Sequence, residues 1–438
     1  MENSIILILS AFVISTACGF IIIPHIVNFC IKKNLYDIPN ARKVHKNAIP
    51  RLGGICFLPC TLIAFIFGIA ILNQLTGQRQ ITIGTWSVMF LISLSLIYII
   101  GIVDDIVGVR PRTKFAVQII AASLLPLSGL YINNMYGMFG IHELPFWVGA
   151  PLTVFVLVFI DNAMNLIDGI DGLSGGLALL SLSGFLLCFM HEGIYTYAIL
   201  IAGLMGVLTA YLFFNIWGKP EKGHKIFMGD SGSLTLGFIL GFLLIKFAMH
   251  NPNVMPYRNN SLLITYTLLI VPCFDVVRVI ITRLKNRHPI FKADKNHIHH
   301  KLMRAGMSQH QALVTILLLA ATFIVLNKAL RPVMKSDIIV LTDILVYTGF
   351  QLVTDIFIRK NERRLTADNG TTAAYVRLSP ATHPARNGTP PCILHIYTET
   401  AFVICISIHR NLKIPMFSDT DAHPRANTPL SHTSRKPL

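Results

Sequence analysis

Five groups of polar residues break an otherwise apolar chain, and their types suit the handling of phosphates and a hard cation. They are Asp104 and Asp105 in GIVDDIVGVRPRTK, the run DNAMNLIDGIDGL with Asn162, Asn165, Asp168 and Asp171, and Asp230 in FMGDSGS. The last two are His297, His299 and His300 in KADKNHIHHKL, and the lysines Lys219, Lys222 and Lys225 that precede Asp230. A carboxylate at the hydrocarbon boundary costs roughly 2 to 3 kcal/mol unless it is hydrated, paired or bound to metal. For Asp104 and Asp105 taken alone, a hydrated helix end explains the pair as well as a functional site does. The spacing of three in Asn162, Asn165, Asp168 and Asp171 predicts one polar helical face able to hold a divalent cation or a nucleotide diphosphate. Gly169 and Gly172 would let the backbone open there.

Asp230 stands immediately before an apolar run, where it serves either as a helix N-cap or as a Mg2+ ligand, with neighbouring N–H groups turned toward a phosphate. The H-x-H-H spacing lacks the HExxH arrangement of zinc sites and no cysteine accompanies it, so hydrogen bonding to phosphate oxygens is the better reading. Lys114 is a phosphate contact or an orienting charge, and the three lysines before Asp230 can steer a polyanion. Asp275 and Arg278 share a helical face and are expected to pair, and Lys246 is expected to snorkel toward the opposite surface.

The elements that must position these groups are membrane helices. Of 438 residues, 53 % are apolar and 13 % charged, and the mean hydropathy is +0.61; such a chain is built for lipid. Apolar runs near residues 5–31, 53–73, 87–103, 115–132, 148–165, 173–190, 195–217, 231–250, 262–282, 311–330 and 338–358 predict an all-α, polytopic integral membrane protein of about eleven spans. When loops are assigned alternately to two sides, one side holds most of the Lys and Arg, among them Lys32, Lys33, Arg51, Arg110, Lys114, Lys225 and Lys301. The other holds only Arg79, Arg258, Arg331 and Lys335. The positive-inside rule then makes the first side cytoplasmic, puts the N-terminus outside, and places all five polar groups at the cytoplasmic face.

The formal charge of +16 is therefore orientation and polyphosphate attraction, with no nucleic acid implied. The eight cysteines show no CxxC pair, and the six in or beside apolar segments read as core thiols. An acidic start and a run from Ile5 to Ile31 read as a retained first span. Residues 1–364 are expected to form a transmembrane catalytic domain. The tail 365–438 is rich in Thr, Pro, Asn and His and is expected to be disordered, with Cys392–His409 a weak span candidate.

These motifs, in order, resemble the polyprenyl-phosphate N-acetylhexosamine 1-phosphate transferase family, in particular its WecA/TagO-like branch, over about residues 20 to 310. DIPNARKVHKNAIPRLGG resembles the family's first cytoplasmic loop, DD at 104 and 105 its aspartate pair, and NAMNLIDGIDGL its signature; FMGDSGS and DKNHIHHKLMRAG complete the set. The resemblance implies a Mg2+-dependent phosphoglycosyl transferase, with Mn2+ as a substitute, acting on a UDP-N-acetylhexosamine and undecaprenyl phosphate in the bacterial inner membrane. It leaves room for a homodimer. It implies that Asp104 and Asp105 serve the acceptor phosphate, that Asp168 and Asp171 shape the nucleotide-sugar site, and that Asp230 binds Mg2+, with Asp105 a second candidate ligand. Asn165, Asn215, Phe227 and the histidines would contact uridine or phosphates, beside Lys114 and Asn162.

Within that family, a phospho-MurNAc-pentapeptide transferase typically carries three consecutive histidines. His297-Ile298-His299-His300 points instead to UDP-GlcNAc as donor. A secondary transporter, the rival from another class, predicts inverted repeats and mid-membrane charges, and neither is evident in the sequence.

Overall fold

The computed structural model describes residues 2–37, 48–76, 84–289 and 296–378. One compact unit spans Met1–Thr372; a second, Ala373–Leu438, is described only as far as Leu378. Residues 38–47 of the first loop, Asp294, and most of the expected tail with Cys392–His409 lie outside the described residues.

The chain is helical, as its apolar runs predict, because backbone polar groups in hydrocarbon must be satisfied within the segment. The long first helix, α1 (Glu2–Lys33), is followed by a two-strand ribbon in which β1 (Tyr36–Asp37) pairs antiparallel with β2 (Ile49–Pro50). A single tight helical turn over Gly53–Cys56 leads into α2 (Phe57–Thr76), and then come α3 (Thr85–Val107), α4 (Pro111–Leu127), α5 (Phe146–Ile167), α6 (Leu173–His191) and α7 (Tyr195–Trp217). The remaining helices are α8 (Gly229–Ala248), α9 (Ser261–Leu268), α10 (Ile270–Lys285), α11 (Ile298–Arg304), α12 (Gln309–Leu330) and α13 (Ser336–Leu378). The last of these runs through the boundary expected at residue 364.

Among the described residues nine helices are long and apolar enough to cross a membrane, or ten if the bent pair α9 and α10 is one span. Two of the eleven expected runs therefore take other forms. The run near 262–282 bends by 72° at Leu269. Pro272 explains the break, since it has no N–H for the carbonyl of Leu268 and its ring excludes that residue from an unbroken helix. The run near 115–132 becomes α4, only 17 residues long with Pro126 near its end, about 26 Å at 1.5 Å per residue.

At the centre lies α8, whose apolar window is wholly buried, packed against α3 and α5. Small residues allow this approach: a Cβ on Gly237 would sit 2.7 Å from the Asp161 Cα, and one on Gly101 2.6 Å from the Ser231 Cα. The main apolar core includes Phe238, Phe242, Leu157 and Phe189, so the N-terminus of α8 is held between the C-terminal ends of α3 and α5.

Candidate active site

The two adjacent aspartates of α3 do different things. Asp105 is 4 % exposed, and its two carboxylate oxygens accept the backbone N–H groups of Asp230 at 2.8 Å and Ser231 at 2.9 Å. It thus caps α8 from a neighbouring helix, where Met228, the residue before α8, supplies no side-chain cap. Gly229 has φ +73°, and a Cβ there would collide with the Arg51 carbonyl and the Asp105 carboxylate. Only glycine fits this join. Two expectations are corrected here. Asp230 is not the N-cap of its own helix, and the first N–H groups of α8 are taken by Asp105 and do not face a phosphate.

Asp104 points the other way. Its Oδ1 accepts the Val109 N–H at 2.6 Å and its Oδ2 the Lys114 ammonium at 3.1 Å. The same ammonium reaches Asp230 Oδ2 at 2.5 Å, and Asn165 donates to Asp230 Oδ1 at 2.7 Å and to the Ser233 hydroxyl at 2.8 Å. Lys114 therefore bridges acids from α3 and α8, while Asn165 joins them to α5.

The run from 162 to 171 is not one helical face, because α5 ends at Ile167 and Asp168 leaves helical geometry at ψ 58°. Asn162, still in the helix, donates to Gln118 Oε1 at 3.0 Å and the Val158 carbonyl at 2.7 Å and does not line the cleft described below. Asp168 and Asp171 follow in a turn. Asp171 pairs with Lys225 at 2.7 Å, and that ammonium also donates to the Asn215 carbonyl at 2.5 Å. Asn215 accepts from Gly172 N–H at 2.7 Å and donates to the Ile226 carbonyl at 2.9 Å, so one amide ties the acidic turn to the segment leading into α8. Asp168 receives no hydrogen bond from the described residues. Burial, then the charges of Asp230, Asp171 and Asp105, pushes its carboxyl up to about 8.

Of the three histidines, His300 alone lines the cleft. His297 bonds through Nδ1 to Asp275 at 2.8 Å; Asp275 also accepts from Arg278 at 2.7 Å and from the Ile298 N–H at 3.0 Å, and Arg278 reaches the Asn296 carbonyl. The expected Asp275–Arg278 pair is present and anchors α11. His299, 1 % exposed, is pressed against Gly169, and burial followed by the neighbouring His300 and His297 pushes it down to about 3. It is a neutral packing ring against the acidic turn. All three were expected to contact substrate, and His300 is the one that borders the cleft. Lys246 does not snorkel: it is 2 % exposed, with its ammonium 4.1 Å above the Trp86 ring.

These groups border one cleft of about 850 Å³. Asp104, Asp105, Asn165, Asp168, Asp171, Asn215, Phe227, Asp230 and His300 all line it, joined by Asp37, Arg51 and Lys225. Acids from α3, the turn after α5, and α8 meet at one end of the bundle.

A model of the family described as "Glycosyl transferase family 4" matches residues 86–248, the stretch that supplies most of this cleft. Across 328 residues the chain is 33 % identical to the "Probable undecaprenyl-phosphate N-acetylglucosaminyl 1-phosphate transferase" of Bacillus subtilis, covering 74 % of this chain and 85 % of that protein. The chain belongs to glycosyl transferase family 4. Relatives named "Undecaprenyl-phosphate alpha-N-acetylglucosaminyl 1-phosphate transferase" are similar as well. The one from Yersinia pestis is 30 % identical over 295 residues and the one from Escherichia coli K12 31 % over 294, each covering 66 % of this chain and 75 % of the relative. The protein is a multi-pass membrane phosphoglycosyl transferase.

In this glycosyl transferase, several site residues carried no special signal in the sequence. Arg51 was counted only as a loop charge, and Lys225 only as one of three lysines that steer a polyanion, not as the partner of Asp171; Ser233 and Gln118 sit inside apolar runs where a lone polar residue has many explanations. The pair Gln118 and Asp161, bonded at 2.7 Å and buried, lies one helical turn from Lys114 and Asn165 and joins α4 to α5 beneath them. The donor set suits a hard cation. No group of three His, Cys, Asp or Glu side chains forms a ready-made metal site among the described residues. Yet Asp168 is unpartnered beside Asp230, Asp171 and Asp105, and Mg2+ commonly takes one or two carboxylates and completes its shell with substrate phosphates and water.

Proposed function

We propose that this chain transfers N-acetylglucosamine 1-phosphate from UDP-N-acetylglucosamine to undecaprenyl phosphate, releasing UMP, at the cytoplasmic face of the bacterial inner membrane. The observation that carries the reading is the meeting of Asp104, Asp168, Asp171 and Asp230 with Arg51 and His300 around one open cleft at the end of a membrane bundle, with Lys114 bridging Asp104 and Asp230. The names of its relatives favour this donor and acceptor over a phospho-MurNAc-pentapeptide substrate and over solute transport.

An oxygen of the lipid phosphate forms a bond to the phosphorus attached to the sugar, and the bond from that phosphorus to the bridging oxygen of UMP breaks. The electron pair leaves with UMP, and the dianionic lipid phosphate attacks without losing a proton. Little covalent chemistry falls to the protein, so positioning and charge neutralisation dominate. Asp105 holds the end of α8 so that Asp230 faces the cleft, and Asn165 and Lys114 fix the rotamer of that side chain. Lys225 and Asn215 hold the acidic turn against the segment leading to α8. Asp230, with Asp168 and Asp104 beside it, would hold Mg2+. When bound, Mg2+ supplies the positive charge that lets two phosphorylated reactants approach.

The test uses the purified chain in liposomes containing undecaprenyl phosphate, with a panel of radiolabelled UDP-sugars. Label should enter lipid from UDP-N-acetylglucosamine, with UMP released, and stop with EDTA until Mg2+ or Mn2+ is restored. Labelling from UDP-MurNAc-pentapeptide instead, or solute uptake without UMP release, would overturn the proposal.

A further inference from the structure

Far from the cleft, the broken pair α9 and α10 meets α12 and α13 at a second polar cluster. Asp343, inside the apolar run 338–358, is fully buried, and no Lys, Arg or His among the described residues pairs with it. Its Oδ2 accepts from the Asn327 amide at 2.9 Å, and the same amide nitrogen donates to the Thr267 hydroxyl at 2.8 Å. The Tyr266 hydroxyl stands beside the same carboxyl. Asp343 Oδ1, Asn327 Oδ1 and the Tyr266 hydroxyl are all buried without a hydrogen-bond partner. Tyr266 and Thr267 belong to the last turn of α9, just before the 72° bend. The break itself is held firmly: the Ser181 hydroxyl donates to the Leu268 carbonyl at 2.7 Å, and a Cβ on Gly184 would lie 2.2 Å from a Leu268 methyl. Asn327 stands eighteen residues from Gln309, a cleft residue on the same helix, about 27 Å at 1.5 Å per residue.

We propose that this cluster binds one desolvated monovalent cation, Na+, through Asp343 Oδ1, Asn327 Oδ1 and the Tyr266 hydroxyl. An unpaired carboxylate among apolar helices is costly, and a hard cation met by carboxylate, amide and hydroxyl oxygens neutralises it and satisfies the orphaned groups together. The end of α9 adds the negative pole of a helix dipole, the setting in which broken membrane helices hold Na+. One carboxylate balances one positive charge, whereas Mg2+ or Ca2+ would leave a net charge buried. The site stands apart from the reaction proposed above and carries no step of it. Its effect passes through the fold: α10 holds Asp275 and Arg278, which fasten α11 and with it His300, so an ion at the break stiffens the arm that presents that histidine.

The test uses the purified full chain in detergent with EDTA, in choline chloride or in NaCl at equal ionic strength. Na+ should raise the melting temperature saturably, by about 2 °C or more at about ten times the half-saturating concentration, and choline, too large for the cluster, should not. Asp343→Asn should lose this response. Tyr266→Phe gives up no hydrogen bond within the protein, so it should fold normally and raise the half-saturating concentration about tenfold. Asp230→Asn, in the cleft, should respond to Na+ as the parent does. A melting temperature indifferent to Na+ would overturn the site, and stabilisation by Asp343→Asn alongside it would show a carboxyl that holds a proton instead. A response lost in Asp230→Asn and kept in Asp343→Asn would place the ion in the cleft and equally overturn it. Should Asp343→Asn fail to fold, equilibrium binding of radioactive Na+ to the parent and to Tyr266→Phe decides. One ion per chain is expected in the parent, displaced by unlabelled Na+ and not by choline, with about tenfold weaker binding in Tyr266→Phe. Absence of saturable binding, or equal binding in the two proteins, would contradict the assignment.

Discussion

The two ends of α8 carry buried charge in opposite ways. At its start, Asp230 is met by Lys114 and Asn165, and Asp105 takes the first N–H groups of the helix. Every charge there has a partner from another helix and a cleft beside it. At its other end Lys246 lies against Trp86 and Tyr197, with no carboxylate in salt-bridge range among the described residues and no polar cleft lined by it. A charge brought into an apolar bundle is costly at either place. At the first end the cost is offset by a network that points at a shared space, and at the second by a ring face alone, worth about 0.5 to 2 kcal/mol. Convergence of partners, more than burial, separates a reaction site from a solitary buried charge.

The sharpest way to break this comparison is Asp230→Asn. It keeps the side chain's shape and should lower kcat by about a thousandfold or more, as expected when a charge-stabilising contact at the reacting group is lost, with the melting temperature little changed. Near-normal turnover would remove Asp230 from the chemistry. Asp105→Ala should come next, with a smaller loss of activity and a stability cost of about 1 to 3 kcal/mol from uncapped N–H groups. Asp105→Asn should recover part of both, because an amide oxygen can still accept one N–H. Equal stability for the alanine and asparagine variants would deny the cap.

Asp168 gives a prediction with a definite sign. Its carboxyl titrates near 8 in the folded chain against 3.8 as the ordinary value, so the folded state holds this proton more tightly than the unfolded state does. The contribution is fully present below the unfolded value and is lost as pH rises toward 8. In EDTA, Asp168→Asn should therefore raise the melting temperature at pH 8 and leave it nearly unchanged at pH 4. A uniform shift at both values would assign the effect to packing. The smallest effect belongs to the other end of α8: Lys246→Met should keep kcat and KM within about twofold of the parent, since distant sites act independently. A large loss of turnover would show that the two ends communicate.

The acids were legible in the sequence because carboxylates inside apolar runs have few explanations, and their shared cytoplasmic assignment foretold one cleft. Which aspartate of the pair at 104 and 105 faces that cleft was not legible. Adjacent residues on a helix point about 100° apart, and the rotation of α3 is set by Gly101 and Gly229, whose close approaches depend on the partner helix. The even spacing from Asn162 to Asp171 suggested one face, but α5 stops at Ile167, and the turn beyond it is held by Asn215 and Lys225 from a later part of the chain. His297 and His299 were indistinguishable from His300 by type, since only Asp275 and Gly169, distant in sequence, turn the first two away from the cleft. Most spans were readable from hydropathy alone. The exceptions were α4, too short, and the α9–α10 pair, where one proline divides a continuous apolar run.

The central claim is that Asp230 reaches cation and phosphate while Asp105 builds the helix end that presents it. It is tested most directly by the electron paramagnetic resonance signal of Mn2+ bound to the full chain in the presence of UMP, compared between Asp230→Asn and Asp105→Asn. The account predicts loss of the bound signal in Asp230→Asn and its retention in Asp105→Asn. Retention in Asp230→Asn together with loss in Asp105→Asn would contradict it.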